Sequence, residues 1–216
     1  MAKRTVIIVG ATGMVGREIL AGLLADDSVG EVHSLGRRPP ATTHSKLTAH
    51  VVNFASQPLL PSLPQADEVY LALGTTIKVA GSQQAFRAID YDANLAVARA
   101  AQAAGVTKLG LVSAMGADAS ASVFYNRVKG ELEEALEKMS FAGLVIARPS
   151  LLVGDREALG QPARRGEKLG LALSKVLSFL IPANYQPIAA AAVAKALLTA
   201  VPQAQGKNIL LSGAMH

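Results

Sequence analysis

The chain has 216 residues, half of them hydrophobic, no cysteine and a formal net charge of +5. That length suits one domain whose core holds without disulfides or metals, and the missing thiols exclude disulfides, thiolate zinc sites and a cysteine nucleophile. Aromatic residues make up only 4% of the chain and the basic ones are scattered, which argues against nucleic-acid binding; the mild positive surplus suits an anionic small molecule.

In chain order, residues 5–9 form a β-branched run ended by Gly10. It is too short for a secretory signal core and reads as a first strand. Residues 14–25 carry Val15, Ile19, Leu20, Leu23 and Leu24 at helical spacing. Residues 31–35 read as a second strand, broken by Gly36 and followed by Pro39 and Pro40. A third strand is expected at 50–54 and a fourth at 68–73, closed by Gly74. Residues 82–104 read as one long alanine-rich helix ended by Gly105. Then come a strand at 108–112, a helix at 123–139 and a strand at 144–147 that Pro149 stops.

Beyond Gly154 the chain is polar and irregular to Arg165. A helix is expected at 166–181, with Leu169, Leu173, Val176, Leu177 and Leu180 as its apolar stripe. A further helix is expected at 188–200 and a last strand at 208–211. No apolar run is long enough to span a bilayer. The alternation of strands and helices predicts an α/β fold, a doubly wound parallel sheet with helices on both faces. Residues 1–216 read as one domain: a core at 1–154 and a small substrate-side C-terminal appendage at 155–216. With neither signal nor cysteine, a cytoplasmic location is expected, and a homodimer is left open.

Chemistry enters with Gly10-Ala11-Thr12-Gly13-Met14-Val15-Gly16, placed where the first strand turns into a helix. One glycine permits the turn, another lets backbone approach a pyrophosphate, and the third lets helix and strand pack closely. The helix N-terminus then offers free N–H groups and its dipole to the anion. No Gly-Lys-Ser/Thr follows, so this is not a P-loop. An NAD site usually places an acid about 20 residues further on. Here Gly36-Arg37-Arg38 stands instead, and Arg37 suits a 2′-phosphate. NADP(H) is therefore preferred, with NAD(H) possible. Leu73, Gly74 and Thr75 end the fourth strand, where an open parallel sheet lines its crevice. Asn53 and Phe54 end the third and could touch adenine.

Tyr125 and Lys129 lie four residues apart, hence on one helix face. A lysine ammonium favours the phenolate and so readies a tyrosine for proton transfer. Ser113, closing a strand, is placed to hydrogen-bond a substrate oxygen. The four histidines form no ligand-spaced group with acids, so no metal is expected. The serine is not in Gly-x-Ser-x-Gly, which argues against hydrolase chemistry.

The glycine loop, Ser113, Tyr125, Lys129 and Ala147-Arg148-Pro149-Ser150 resemble those of atypical or extended short-chain dehydrogenase/reductases. Leu73-Gly74-Thr75-Thr76, Asp90-Tyr91-Asp92-Ala93-Asn94 and residues 124–131 are most similar to the Tat-interacting-protein-like branch of small NADPH-binding reductase-like proteins. The resemblance implies a Rossmann-type fold related to NAD-dependent epimerases and dehydratases, NADP(H) binding and a Ser113-Tyr125-Lys129 triad. It further implies that Asn94 supports the lysine through water and that Pro149 lies near the nicotinamide. The expected activity is an oxidoreductase acting on a small carbonyl or alcohol. The alternatives are an NADPH-binding regulator with little turnover, or an isomerase or dehydratase that retains its cofactor. The part after Gly154 lacks the fuller substrate domain of sugar-nucleotide epimerases, which points away from large substrates.

Overall fold

A computed structural model describes residues 3–54, 63–153 and 182–216. Seven strands form one sheet: β1 (Arg4–Val9), β2 (Val29–Gly36), β3 (Leu47–Val51), β4 (Glu68–Leu71), β5 (Lys108–Val112), β6 (Gly143–Arg148) and, after a small pair described below, β9 (Gly206–Leu211). Their order is β3-β2-β1-β4-β5-β6-β9, every neighbour parallel. The central strands are hydrophobic on both faces because helices cover both. Along β1, Val6 and Ile8 point into one apolar layer, and Ile7 and Val9 into the other, as the two-residue period of a strand requires.

The first layer is closed by α1 (Met14–Ala25) and α6 (Ala190–Ala200), which bring Ile19, Leu23, Val193 and Leu197 onto Val6, Ile8 and Val145. The second is closed by α4 (Asn94–Ala103) and α5 (Phe124–Glu137), through Val97, Ala101, Leu132 and Leu136. The result is the doubly wound Rossmann-type sheet that the strand–helix rhythm predicts, with a smaller C-terminal appendage. Part of that appendage is a two-residue parallel pair, β7 (Leu152–Val153) with β8 (Ile188–Ala189).

The structure departs from the expected elements at several places. The third strand runs Leu47–Val51 rather than 50–54, and it is mostly exposed. An edge strand is held by backbone bonds to one neighbour, so apolar weight at 51–54 is a poor guide to its place. The fourth strand ends at Leu71, leaving Leu73 and Gly74 as loop. The expected helix at 82–104 is α3 (Gln83–Arg87), a π-helical turn (Ala88–Ala93) and α4, preceded by the short α2 (Ile77–Ala80). The helix expected from 188 begins at Ala190, because Ile188 and Ala189 pair with β7. The expected helix and apolar stripe at 166–181 lie outside the described residues.

Candidate active site

Strand order reverses between β1, which pairs with β2, and β4, which lies on its other side. At such a point loops part to opposite faces and leave a crevice beyond the strand ends. A cleft of about 500 Å³ opens there. It gathers Gly13, Met14 and Val15 from the first loop and helix, and Leu73, Gly74 and Thr75 from the loop after β4. Ser113 comes from the end of β5, Tyr125 and Lys129 from α5, and Pro149 from beyond β6. Of the other sequence-predicted site residues, Gly10 and Gly16 do not line the cleft. Thr12 and Arg37 are exposed, and Asn94 is fully buried.

The first loop is fixed by atoms that leave no room. Gly10 has φ +84°, and a Cβ on it would lie 2.5 Å from the Ala72 carbonyl oxygen. A Cβ on Gly16 would come within 2.1 Å of the Gly10 carbonyl oxygen. Gly13 differs: it caps α1 with no side-chain bond, at φ −82°, and it lines the cleft. The first turn of α1 holds no acidic residue. Its leading N–H groups have no acceptor within the helix, so backbone donors meet whatever occupies the cleft. This is a cradle for an anion, and the residues present fit the pyrophosphate of a dinucleotide.

The deepest polar contact was not foreseen. Lys129 Nζ stands 2.7 Å from Asp90 Oδ1, with side chains 5% and 0% exposed. The second carboxylate oxygen of Asp90 accepts the Thr75 N–H at 2.9 Å. One buried carboxylate therefore ties the α5 lysine to the loop after β4. Burial works against the charge on Lys129, yet Asp90, with Tyr125 and Glu133, raises it above the ordinary lysine value. Burial likewise pushes the Asp90 carboxyl up, while Lys129 and the Thr75 N–H draw it back in part.

Asn94 sits one turn behind Asp90. Its Nδ2 donates to the Leu73 carbonyl at 3.3 Å and to those of Ile89 and Asp90 at 3.3 and 3.1 Å. Its Oδ1 is buried without a hydrogen-bond partner. In direct contact, then, Asp90 holds the lysine, and Asn94 holds the π-turn and the end of β4. Tyr125 is wedged by Phe86, whose ring centroid is 5.3 Å away.

Ser113 has its own support. Its hydroxyl donates to Glu133, and Arg148 Nε donates to the same carboxylate at 3.2 and 3.1 Å. Arg148 Nη2 adds a bond of 2.5 Å. Tyr125, Lys129 and Glu133 thus follow one another at four-residue steps along the inner face of α5. That spacing could have marked Glu133 in the sequence, as it marked Lys129. Gly130, between them, lets α5 press on the neighbouring loop, for a Cβ there would lie 2.2 Å from the Ala119 nitrogen. Away from the cleft, His33 and His50 meet at 3.1 Å across β2 and β3. Among the described residues no three His, Asp or Glu side chains gather as a metal site would need, and no helix is long and apolar enough to cross a membrane.

Comparison with known proteins agrees with this geometry. Residues 10–167 match a family described as NAD(P)H-binding. The protein fmp52, mitochondrial, of Emericella nidulans is 37% identical over 159 residues, covering 70% of this chain and 68% of its own. FMP52 of Chaetomium globosum is 31% identical over 219 residues, covering 95% and 92%. Among solved structures, a short chain dehydrogenase family protein from Francisella tularensis superposes with a TM-score of 0.70 at 10% identity, over 99% of each chain. The Bordetella bronchiseptica enzyme WbmF in complex with NAD+ gives 0.70 at 19% identity, over 98% of this chain and 74% of its own. The expected cytoplasmic location is corrected by the curated relatives, which are named as mitochondrial proteins.

Proposed function

Because the chain belongs to the NAD(P)H-binding family of Rossmann-fold proteins, we propose that it is an NADP(H)-dependent oxidoreductase of the short-chain dehydrogenase/reductase type, acting on a small carbonyl or alcohol. The observation that carries this reading is the single cleft that joins the α1 anion cradle to Ser113, Tyr125 and Lys129. The N–H groups leading α1 would hold the pyrophosphate, and Lys129 the nicotinamide ribose. A bound nicotinamide would supply or accept a hydride. Tyr125 moves the matching proton: its hydroxyl protonates the substrate oxygen in reduction and its oxygen takes the proton back in oxidation. Phe86 holds the ring in place for this. Within the superfamily, the segments around Leu73 and Asp90 favour the Tat-interacting-protein-like branch.

Tyr125→Phe is the test. It is expected to lower NADPH-dependent turnover of a carbonyl panel by about 10²–10⁴-fold, while the NADPH dissociation constant, read by fluorescence titration, changes less than about threefold. Turnover that survives the substitution overturns the reading. The Asp90 contact on Lys129 favours one alternative, a cofactor-binding regulator with little turnover. A carboxylate 2.7 Å from the ammonium cancels much of the field by which lysine would act on tyrosine. That alternative predicts NADPH binding with no Tyr125-dependent activity.

Cofactor choice rests on Arg37, exposed just past β2, the strand next to β1. A guanidinium pairs with a 2′-phosphate through two N–H bonds, and NADH lacks that phosphate. Arg37→Ala is expected to weaken NADPH by about 10- to 100-fold and NADH by less than about twofold, in parallel titrations of both cofactors. Equal losses would remove Arg37 from the site.

A further inference from the structure

The hydroxyl proton of Ser113 is already committed. Ser113 donates it to Glu133, a carboxylate 5% exposed on α5. Arg148, ending β6, places Nε 3.2 and 3.1 Å from the two carboxylate oxygens and Nη2 2.5 Å from one of them. A guanidinium does not give up its proton in a protein and has no acceptor. Paired with the Arg148 guanidinium, the Glu133 carboxylate is an acceptor only. The contact between Ser113 and Glu133 needs one proton between two oxygens, and only the serine can supply it. A hydroxyl has one proton and two lone pairs. Once the proton is turned away to Glu133, only lone pairs remain for the cleft that Ser113 lines.

We propose that Glu133 is a positioning residue that makes Ser113 a hydrogen-bond acceptor toward the cleft, so that the site takes a substrate hydroxyl, not a bare carbonyl oxygen, against this serine. The proposal rests on the oxidoreductase reading and names the form of substrate that the site binds better. While Tyr125 is protonated, a resting alcohol donates its proton to Ser113 and accepts from the Tyr125 hydroxyl; for oxidation the O–H turns to the Tyr125 oxygen once that has lost its proton. A carbonyl oxygen only accepts. It meets Tyr125 well and Ser113 badly, lone pairs against lone pairs, and leaves the serine oxygen without a partner.

Glu133→Gln reverses the arrangement at nearly constant size. Arg148 keeps the carboxamide oxygen, because it has only protons to offer. The carboxamide NH2 is then turned onto Ser113, whose own proton is released toward the cleft. Two measurements follow. The first needs no ligand: wild-type protein is expected to show a downfield, slowly exchanging hydroxyl proton by NMR that disappears in Ser113→Ala and moves upfield in Glu133→Gln.

The second titrates matched secondary alcohols and ketones, cyclohexanol and cyclohexanone among them, into the unreactive complexes (alcohol with NADPH, ketone with NADP+). The wild type is expected to bind the alcohol about tenfold tighter, and Glu133→Gln to bind the ketone tighter. Ser113→Ala, which keeps the ion pair, is expected to erase the alcohol preference from both sides: the alcohol loses its acceptor and binds more weakly, and the ketone loses the opposing lone pairs and binds no worse. A structural role alone would weaken both ligands together. The proposal is overturned if the downfield proton is absent, if no alcohol binds, if alcohol and ketone bind alike, or if the preference survives in Ser113→Ala. Failure of the oxidoreductase reading looks different: cofactor binding or Tyr125-dependent turnover is lost while the NMR signature stands.

Discussion

A Gly10→Ala variant is expected to lose NADPH binding by at least about 100-fold and to be less stable by about 3 kcal/mol, because left-handed backbone and overpacking each cost a non-glycine residue of order 1–3 kcal/mol. Gly10 has φ +84°. The added methyl would also stand 2.5–2.8 Å from the backbone of Ala72 and Leu73, where no side chain can yield. Gly10 further accepts the Gly13 N–H at 2.9 Å, so any shift that relieves the clash moves the glycine that lines the cleft. Gly105→Ala is the control. It has φ +88° with nothing within 4 Å of the added atom, and it ends α4 far along the chain from the loop. It should show the backbone cost alone, about 1–2 kcal/mol, and unchanged cofactor affinity. Thermal unfolding and fluorescence titration of the two variants side by side separate the effects; equal behaviour would mean that close approach to Ala72 is unimportant.

Asp90→Leu is expected to be the most damaging side-chain substitution in the site, costing about 3–5 kcal/mol, since it strands a buried ammonium. For a chain of this size that is about 10 °C in melting temperature. Adding Lys129→Met should recover most of the loss, because an apolar pair of similar volume has no charge to compensate. Asp90→Asn carries a signature in pH. In the wild type, burial opposes the Lys129 charge but the acidic neighbours outweigh it, so the folded value lies above the ordinary one. Lys129 then contributes stability that is full below the ordinary lysine value and is lost as pH rises through the folded one. Without the Asp90 charge, burial prevails and the folded value falls below the ordinary one. Stability from Lys129 then grows as pH rises between the two. Denaturant titrations across the alkaline range, each referenced to its Lys129→Met counterpart, should show slopes of opposite sign. Slopes of one sign would mean that Asp90 does not set the lysine charge.

The sheet was readable because its central strands are covered on both faces. Ile7, Leu71 and Leu111 sit in runs that no half-exposed strand would show, and Gly10 and Gly74 punctuate them. The strand–turn–helix placement of the glycine loop was readable because its signals are local, held in one short segment. Where an element owes its place to a neighbour, the sequence was thin. The edge strand at Leu47–Val51 has little apolar pattern of its own, and the pair Leu152–Val153 with Ile188–Ala189 joins segments distant in sequence.

The site divides the same way. Lys129 and Tyr125 declared themselves through spacing on one helix. Asp90 comes from another helix and has no spacing relation to Lys129. Glu133 did share the helix spacing of Tyr125 and Lys129, but an acid amid Glu131 and Glu134 reads as a solvated face. Its burial follows from the Arg148 guanidinium at the end of β6, which only the folded sheet brings near.

The π-helical turn at Ala88–Ala93 can be seen as a phase adjustment. A regular α-helix fixes the angle between any two side chains by their spacing alone; a turn that bonds five residues back adds a residue of slack. The rod ahead of the turn must aim Phe86 at the Tyr125 ring, while the turn must aim Asp90 at Lys129 and the start of α4 must aim Asn94 at the carbonyl of Leu73. These targets lie on α5 and on the loop after β4, and neither can rotate to suit the rod. The wide turn works as a vernier that lets both halves come into alignment at once. A stretch of locally poorer backbone bonding is kept where the geometry of the cleft would otherwise be over-determined.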